Sequence, residues 1–298
     1  MEEIKRVWDP AQAPGKRALA MEGGAMRGMF TCGVLDVLME NGVGFDIAAG
    51  ISAGAVFGCN LKSGQAGRAV RYNKRFCRDK RYGTLLSLIR TGDLYEADFC
   101  YREIPDELDV FDRKAFRENP MLFYAGAADA DTGEIVYHLC RDGEKKDMDW
   151  LRASASMPGV SRPVPMDGRR LLDGGVVEPV PCAFLRQLGF ERQTVILTRP
   201  KGYRKKDGPF LPLTRLLLRK TPGAARAMGL RAARYNAQME DIDARQARGE
   251  LFVLRPAAPL EIDRLSRDPQ ALERMYVQGR REAEERLPAL QEFLKSPF

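Results

Sequence analysis

The stretch "DIAAGISAGAVFG", Asp46 to Gly58, constrains the fold of this chain more than any other. Its first apolar run is too short for a helix and ends in glycine. A second apolar run then starts at helical spacing, so the segment reads strand, sharp turn, helix. The same order stands just upstream. "RALAM" (Arg17 to Met21) is a short apolar run ending in a glycine cluster. "MFTCGVLDVLMENG" then sets Phe30, Val34, Leu35, Val37 and Leu38 near helical spacing, with Gly42 as the stop. Two such units in succession imply a parallel sheet covered by helices, which is the α/β class. Further strands are expected at Met121 to Ala130, Glu134 to Cys140, Gln193 to Arg199 and Leu251 to Pro256, and helices around Asp147 to Met157 and Cys182 to Leu188. From Pro209 onward the chain reads as mostly helical. The expected organisation is an N-terminal extension (1–16), a core (17–200) and a mainly helical C-terminal region (201–298) packed on that core. No repeat or low-complexity tract interrupts it.

Composition narrows the class. At 298 residues, with 44% hydrophobic and 30% charged, the chain is long enough to bury a large core. The N-terminal segment is charged from its second residue and lacks the apolar run of a secretory signal. No window approaches 18 consecutive apolar residues. A cytoplasmic protein is therefore expected. Six cysteines (Cys32, Cys59, Cys77, Cys100, Cys140, Cys182) without C-x-x-C spacing suit reduced thiols, and a single histidine argues against a metal cluster. The net charge of +7 is concentrated. Between Lys201 and Tyr235 stand ten Lys or Arg against Asp207 alone. That run is either a solvated face or a contact for an anionic membrane. Nucleic acid is not expected, because no aromatic ladder or binding motif accompanies the charge.

The only polar side chain in the elbow after Asp46 is Ser52, and "GISAG" matches G-x-S-x-G between a predicted strand and a predicted helix. With 28 glycines and eight serines, chance supplies about 0.07 such matches, so the motif is informative. Gly50 and Gly54 remove side chains that would collide at the turn, and the hydroxyl is pushed out near the positive end of a helix. The bland alternative is a tight packing turn with a capping serine. A nucleophile also needs oxyanion donors. "EGGAMRG" (Glu22 to Gly28) offers small residues after the first strand, with Gly23, Gly24 and Ala25 as candidate donors. Arg27 either orients that loop or is a plain surface arginine. The base is harder to find. His138 is the only histidine and falls in a predicted strand, where packing is its expected role. "LLDGG" supplies Asp173, although Asp-Gly is also an ordinary turn signal.

Taken in order, "EGGAMRG", "GISAG", "ASASMPGVSRPV" and "DGG" resemble the patatin-like phospholipase family over about Arg17 to Thr198. The resemblance implies a three-layer α/β/α sandwich with a mostly parallel sheet and hydrolysis of lipid acyl esters without metal or organic cofactor. It also implies Ser52 as nucleophile, Asp173 as base, and Gly23, Gly24, Ala25, Met26, Arg27 and Gly28 as the oxyanion loop. Two positions depart from the family pattern: Glu22 stands where an aspartate is common, and Ala25 where a third glycine is. Alanine keeps its N–H but resists a positive φ.

Two other functions remain open in the sequence. A catalytically silent lipid- or anion-binding protein would keep the sandwich and use the basic helices. A dinucleotide binder would use "GGAMRG" as a loose G-x-G-x-x-G with Asp46 as the ribose acid, but it leaves "GISAG" and "DGG" without a role.

Overall fold

The computed structural model describes residues 17–207 and 218–295. The expected N-terminal extension lies outside the described residues, as do residues 208–217 of the basic stretch, Arg215 among them.

Among the described residues eight strands form one sheet: β1 (Ala18–Met21), β2 (Ile47–Ile51), β3 (Leu122–Asp129), β4 (Ile135–Cys140), β5 (Val164–Met166), β6 (Arg169–Asp173), β7 (Gln193–Ile196) and β8 (Leu251–Leu254). The order is β5-β6-β3-β2-β1-β7-β8, with β4 also paired to β3. β8, β7, β1, β2 and β3 run parallel, and β4, β5 and β6 add an antiparallel end.

The central strands are apolar along their whole length because both faces are covered. In β1, Leu19 and Met21 join the cluster that holds α1 (Met29–Glu40), α2 (Ala53–Lys62) and the C-terminal helix. Ala18 and Ala20 face the other way, against Leu185 and Tyr235 of the opposite helical layer. Alternation within one buried strand thus defines the three layers. The expected α/β/α sandwich and its helical C-terminal region are what the chain forms.

The remaining helices are α3 (Arg68–Phe76), α4 (Leu85–Thr91), α5 (Arg113–Glu118), α6 (Lys145–Ser154), α7 (Cys182–Gln187), α8 (Pro222–Ala247) and α9 (Pro269–Lys295), with a π-helical segment at Phe99–Leu108. The C-terminal region contributes β8 as the sheet edge and α9 as a cover for α1. There a Cβ on Gly279 would stand 2.0 Å from Phe30 O, so the two helices touch backbone to backbone. Among the described residues, no helix is long and apolar enough to cross a membrane. All six cysteines are free thiols.

The pairing around β3 places the site. β4 lies along β3 from Phe123 to Ala128. β2 pairs with β3 up to Gly126, and β6 pairs with it from Ala127 onward. Since β4 fills one edge over both ranges, β2 and β6 must share the other edge, arriving from opposite directions. Their C-terminal ends, Ile51 opposite Gly126 and Asp173 opposite Ala127, meet at successive positions of β3.

Candidate active site

Ser52 follows β2 directly and precedes the first residue of α2, at φ 54° and ψ −122°. A non-glycine residue in such a conformation costs on the order of 1–3 kcal/mol and persists only where its surroundings fix it. The flanking glycines make the turn feasible. A Cβ on Gly50 would stand 2.4 Å from Gly54 O, and one on Gly54 would stand 2.5 Å from Met21 O. The Ser52 N–H donates to Ser154 Oγ at 2.9 Å, and the Ser154 hydroxyl donates to Gly126 O at 2.6 Å. That bridge ties the elbow to the middle of β3. Ser154 belongs to "ASASMPG", a stretch whose local sequence assigns it no role. Only tertiary structure brings it to the elbow.

The end-to-end meeting of β2 and β6 brings Ser52 and Asp173 together. Ser52 Oγ donates to Asp173 Oδ2 at 2.6 Å, and the Gly175 N–H donates to Asp173 Oδ1 at 2.7 Å. Asp173 is 1% exposed. Burial pushes its carboxyl above the ordinary value, opposed by the Ser52 and Gly175 hydrogen bonds and, at longer range, by the charges of Arg231 and Lys205.

The "EGGAMRG" loop lies on the same spot: a Cβ on Gly23 would stand 3.0 Å from Ser52 Cβ, and one on Gly28 would stand 2.9 Å from Ala53 Cβ. Its N–H groups are unequal. Gly23 N–H donates to Pro179 O and Met26 N–H to Arg264 O, while Gly24 and Ala25 have no backbone acceptor among the described residues. Ala25 sits at φ 50°, the conformation that alanine resists. Glu22 is a buried anchor. Its carboxylate accepts from Thr198 N at 2.5 Å and Thr198 Oγ1 at 3.1 Å, and from Tyr235 Oη at 3.1 Å, tying the loop to the strand end at Thr198 and to α8. Nothing in the local sequence marks this, because its partners lie 176 and 213 residues away. Arg27 is 8% exposed, its Nε has no partner among the described residues, and burial together with Arg199 pulls its guanidinium down to about 10.

His138 is not brought to this site. Its Nε2 lies 2.8 Å from Asp147 Oδ1, and its ring stacks on Trp150 at 4.8 Å. Asp147 Oδ2 accepts the backbone N–H groups of Arg141, Asp142 and Gly143. Histidine and aspartate together fasten the turn that enters α6. Asp46, the acid of the dinucleotide alternative, is likewise engaged, accepting the Arg17 N–H at 2.6 Å.

Ser52, Asp173, Gly23, Gly24, Ala25 and Arg27 line a cavity of about 380 Å³. Apolar side chains, among them Phe57, Tyr95, Ile104 and Leu151, form much of its wall. Part of that wall comes from residues between Tyr82 and Phe111, a stretch whose sequence predicts no elements. The reason is visible in α4, where Leu85, Leu86 and Ile89 are 67%, 49% and 75% exposed, so the apolar spacing marks no buried face.

A family model described as "Patatin-like phospholipase" matches residues 19–186, and one described as "Domain of unknown function (DUF6363)" matches residues 221–295. The uncharacterized protein YjjU of Escherichia coli is 32% identical over 195 residues, covering 63% of this chain and 53% of YjjU. The uncharacterized NTE family protein Mb1092c of Mycobacterium bovis is 30% identical over 168 residues, covering 56% of this chain and 44% of that protein. The chain thus spans about half the length of these curated relatives. The crystal structure of VipD from Legionella pneumophila aligns with a TM-score of 0.46 at 12% identity, over 92% of this chain and 67% of that one. With a family model matching more than half of its length, the chain belongs to the patatin-like phospholipase family.

Proposed function

We propose that this protein is a serine acyl hydrolase that cleaves carboxylic esters of lipids through Ser52 and Asp173, by way of an acyl-serine. The observation that carries this reading is the 2.6 Å hydrogen bond from Ser52 Oγ to a fully buried carboxylate at the edge of an apolar-walled cavity. Asp173 takes the Ser52 proton as Oγ attacks the ester carbonyl carbon. The oxyanion develops against the N–H groups of Gly24 and Ala25, close to the positive end of α2. Collapse of the tetrahedral intermediate expels the alkoxide, which receives the proton from Asp173. Asp173 then deprotonates water, the resulting hydroxide attacks the acyl-serine, and the acid leaves as Ser52 regains its proton. An aspartate of ordinary pKa, ~4, is a poor match for a serine hydroxyl, and burial of Asp173 improves that match.

Peripheral contact with an anionic membrane through the Lys201 to Arg234 stretch, on the cytoplasmic side, belongs to the same reading. Lys201, Lys206, Arg219, Lys220, Arg226 and Arg234 are exposed there. Covalent labelling by a fluorophosphonate, read by mass spectrometry beside hydrolysis of p-nitrophenyl esters and phospholipids, tests the function. Labelling at Ser52 with turnover, both lost in Ser52→Ala, is expected. An unlabelled, inactive but folded wild-type protein would leave the silent lipid-binding alternative.

A further inference from the structure

The cations around the cavity fall into two groups. Arg68 and Arg152 line it with carboxylate partners, Arg68 Nε at 3.4 Å from Asp109 and Arg152 at 3.2 Å from Asp93. Arg27, Arg199, Lys205, Arg231 and Arg264 line it too, and none of these five has a carboxylate within 4 Å among the described residues.

The second group stands beside the reacting serine. Arg231 Nε donates to Gly175 O at 3.2 Å, and Gly175 N–H donates to Asp173, so Arg231 is one residue removed from the Ser52 partner. Arg27 is in the loop against Ser52, and Arg264 holds that loop through its carbonyl, which accepts from Met26 N–H. Lys205 Nζ lies over the Tyr235 ring at 4.0 Å, and Arg199 lies over Tyr203 at 4.3 Å, aromatic contacts that leave their charge uncancelled. The carboxylates nearby are already engaged, Glu22 by Thr198 and Tyr235 and Asp173 by Ser52 and Gly175. Five cations against the two carboxylates Glu22 and Asp173 leave an excess of positive charge, and with a nine-tenths-buried arginine whose Nε has no partner among the described residues, the cluster is arranged for an anion.

We propose that Arg27, Arg199, Lys205, Arg231 and Arg264 form a phosphate subsite of the catalytic cavity. The ester cleaved would then be that of a glycerolipid whose headgroup is a compact phosphate monoester. The assignment rests on Ser52 acting as an acyl hydrolase. A phosphate dianion a few bonds from the ester carbonyl would meet several cations at once while its acyl chain follows the apolar wall. A choline headgroup would instead bring a cation among cations and is selected against. The protonation of Lys205 agrees with this. Burial, then Arg231, Arg264 and Arg27, pull its ammonium down to about 7, opposed by Glu22. A bound dianion restores the charge, so binding at pH 8 takes up a proton.

The test has a binding arm and a turnover arm. In the first, sn-glycerol 3-phosphate, inorganic phosphate and glycerol are titrated into the Ser52→Ala protein by calorimetry at pH 8 in two buffers of different ionisation enthalpy. We expect both phosphates to bind at least ~10-fold tighter than glycerol, with proton uptake and a loss of affinity in salt. The Lys205→Met/Arg231→Met pair should lose that advantage, as should Arg264→Gln, an exposed position that spares the fold. In the second arm, short-chain lysophosphatidate, monoacylglycerol and lysophosphatidylcholine are compared as substrates. The kcat/KM ratio should favour the phosphate monoester by ~30-fold or more, mainly through KM, and shrink toward unity in the same variants. Phosphate binding no tighter than glycerol overturns the subsite. Phosphate binding without preference for the phosphate-bearing ester overturns its assignment to the substrate headgroup. Neutral-ester turnover with no phosphate preference would leave the Ser52 hydrolase standing and remove only this inference. Absence of all turnover with intact phosphate binding would remove the hydrolase instead.

Discussion

Replacing Asp173 by asparagine separates what the carboxylate does for chemistry from what it does to stability. The change is isosteric. The amide oxygen of the new side chain can still accept the Gly175 N–H, and its NH₂ group can still face Ser52 Oγ. The effective cost of burying a carboxylate is several kcal/mol, and the two hydrogen bonds it receives return about 1.5–3 kcal/mol each. The upward displacement of its pKa says that the cost exceeds the return. Removing the charge should therefore stabilise the fold, by an amount on the order of 1–2 kcal/mol or, for 298 residues, about 2–3 °C in Tm. The sign with pH follows. Because the folded protein holds this proton more tightly than the unfolded chain, the penalty is present above the folded pKa. It shrinks as pH falls through that value and is gone below the ordinary value of about 4. The Tm advantage of Asp173→Asn should be largest near pH 8 and vanish toward pH 4. Ester hydrolysis should meanwhile fall by ~10²–10⁴-fold, the usual contribution of a general base. Scanning calorimetry across that pH range, beside p-nitrophenyl ester hydrolysis, reads both. A variant that is inactive but no more stable at pH 8 would show that the carboxylate is not strained by its burial. One that keeps more than a few per cent of activity would remove Asp173 as the base.

Three further outcomes are expected. Ser154→Ala leaves the Ser52 N–H and Gly126 O without their partner, so it should cost about 1–3 kcal/mol in urea unfolding and lower kcat by loosening the elbow. An unchanged midpoint would mean that the bridge contributes nothing. Ala25→Gly relieves a residue at φ 50° while keeping its N–H. The relief of about 1–2 kcal/mol is partly offset by the ~0.5–1 kcal/mol that glycine loses in chain entropy, so stability should hold or rise slightly and activity should stay within about threefold. A tenfold loss of kcat would show that the methyl group itself positions substrate. His138→Asn should keep most ester hydrolysis while lowering Tm, since the histidine fastens the turn through Asp147 and Trp150. Loss of activity as severe as in Ser52→Ala, in a folded protein, would make His138 the base.

The parts of the molecule that sequence reading recovers are those whose cause is local. The elbow is legible because glycine spacing, a buried strand and a following helix all lie within 17 residues, and each of them is needed for Ser52 to adopt its φ. The strands at Leu122–Asp129 and Leu251–Leu254 are legible from their apolar runs. Asp173 is nameable by resemblance, yet its strand is not, because "LLDGG" carries a turn signal and the ladder partner of Asp173 is Ala127. Glu22 and Ser154 escape for the same reason, their partners being set by the sheet. The cations Lys205 and Arg231 sit in a run that reads as one solvated basic face, and only the fold turns these two toward the cavity. The basic stretch is therefore of two kinds, which charge counting cannot separate.

The convergence of β2 and β6 on one edge of β3 has a kinetic consequence. Ser52 and Asp173 are 121 residues apart, and neither approaches the other until both ladders on β3 have formed. Contacts of such sequence separation form late, because loop closure must be completed before they stabilise anything. Helices can regain their signal while the nucleophile is still unpaired. During refolding, fluorophosphonate labelling of Ser52 should lag far-UV ellipticity, so the proposed nucleophile would act as a clock of the sheet's assembly. On the proposed hydrolase reading, a chain with most of its helix but without the Ser52–Asp173 pair would be silent toward esters, and hydrolysis would begin only when the two strand ends have met.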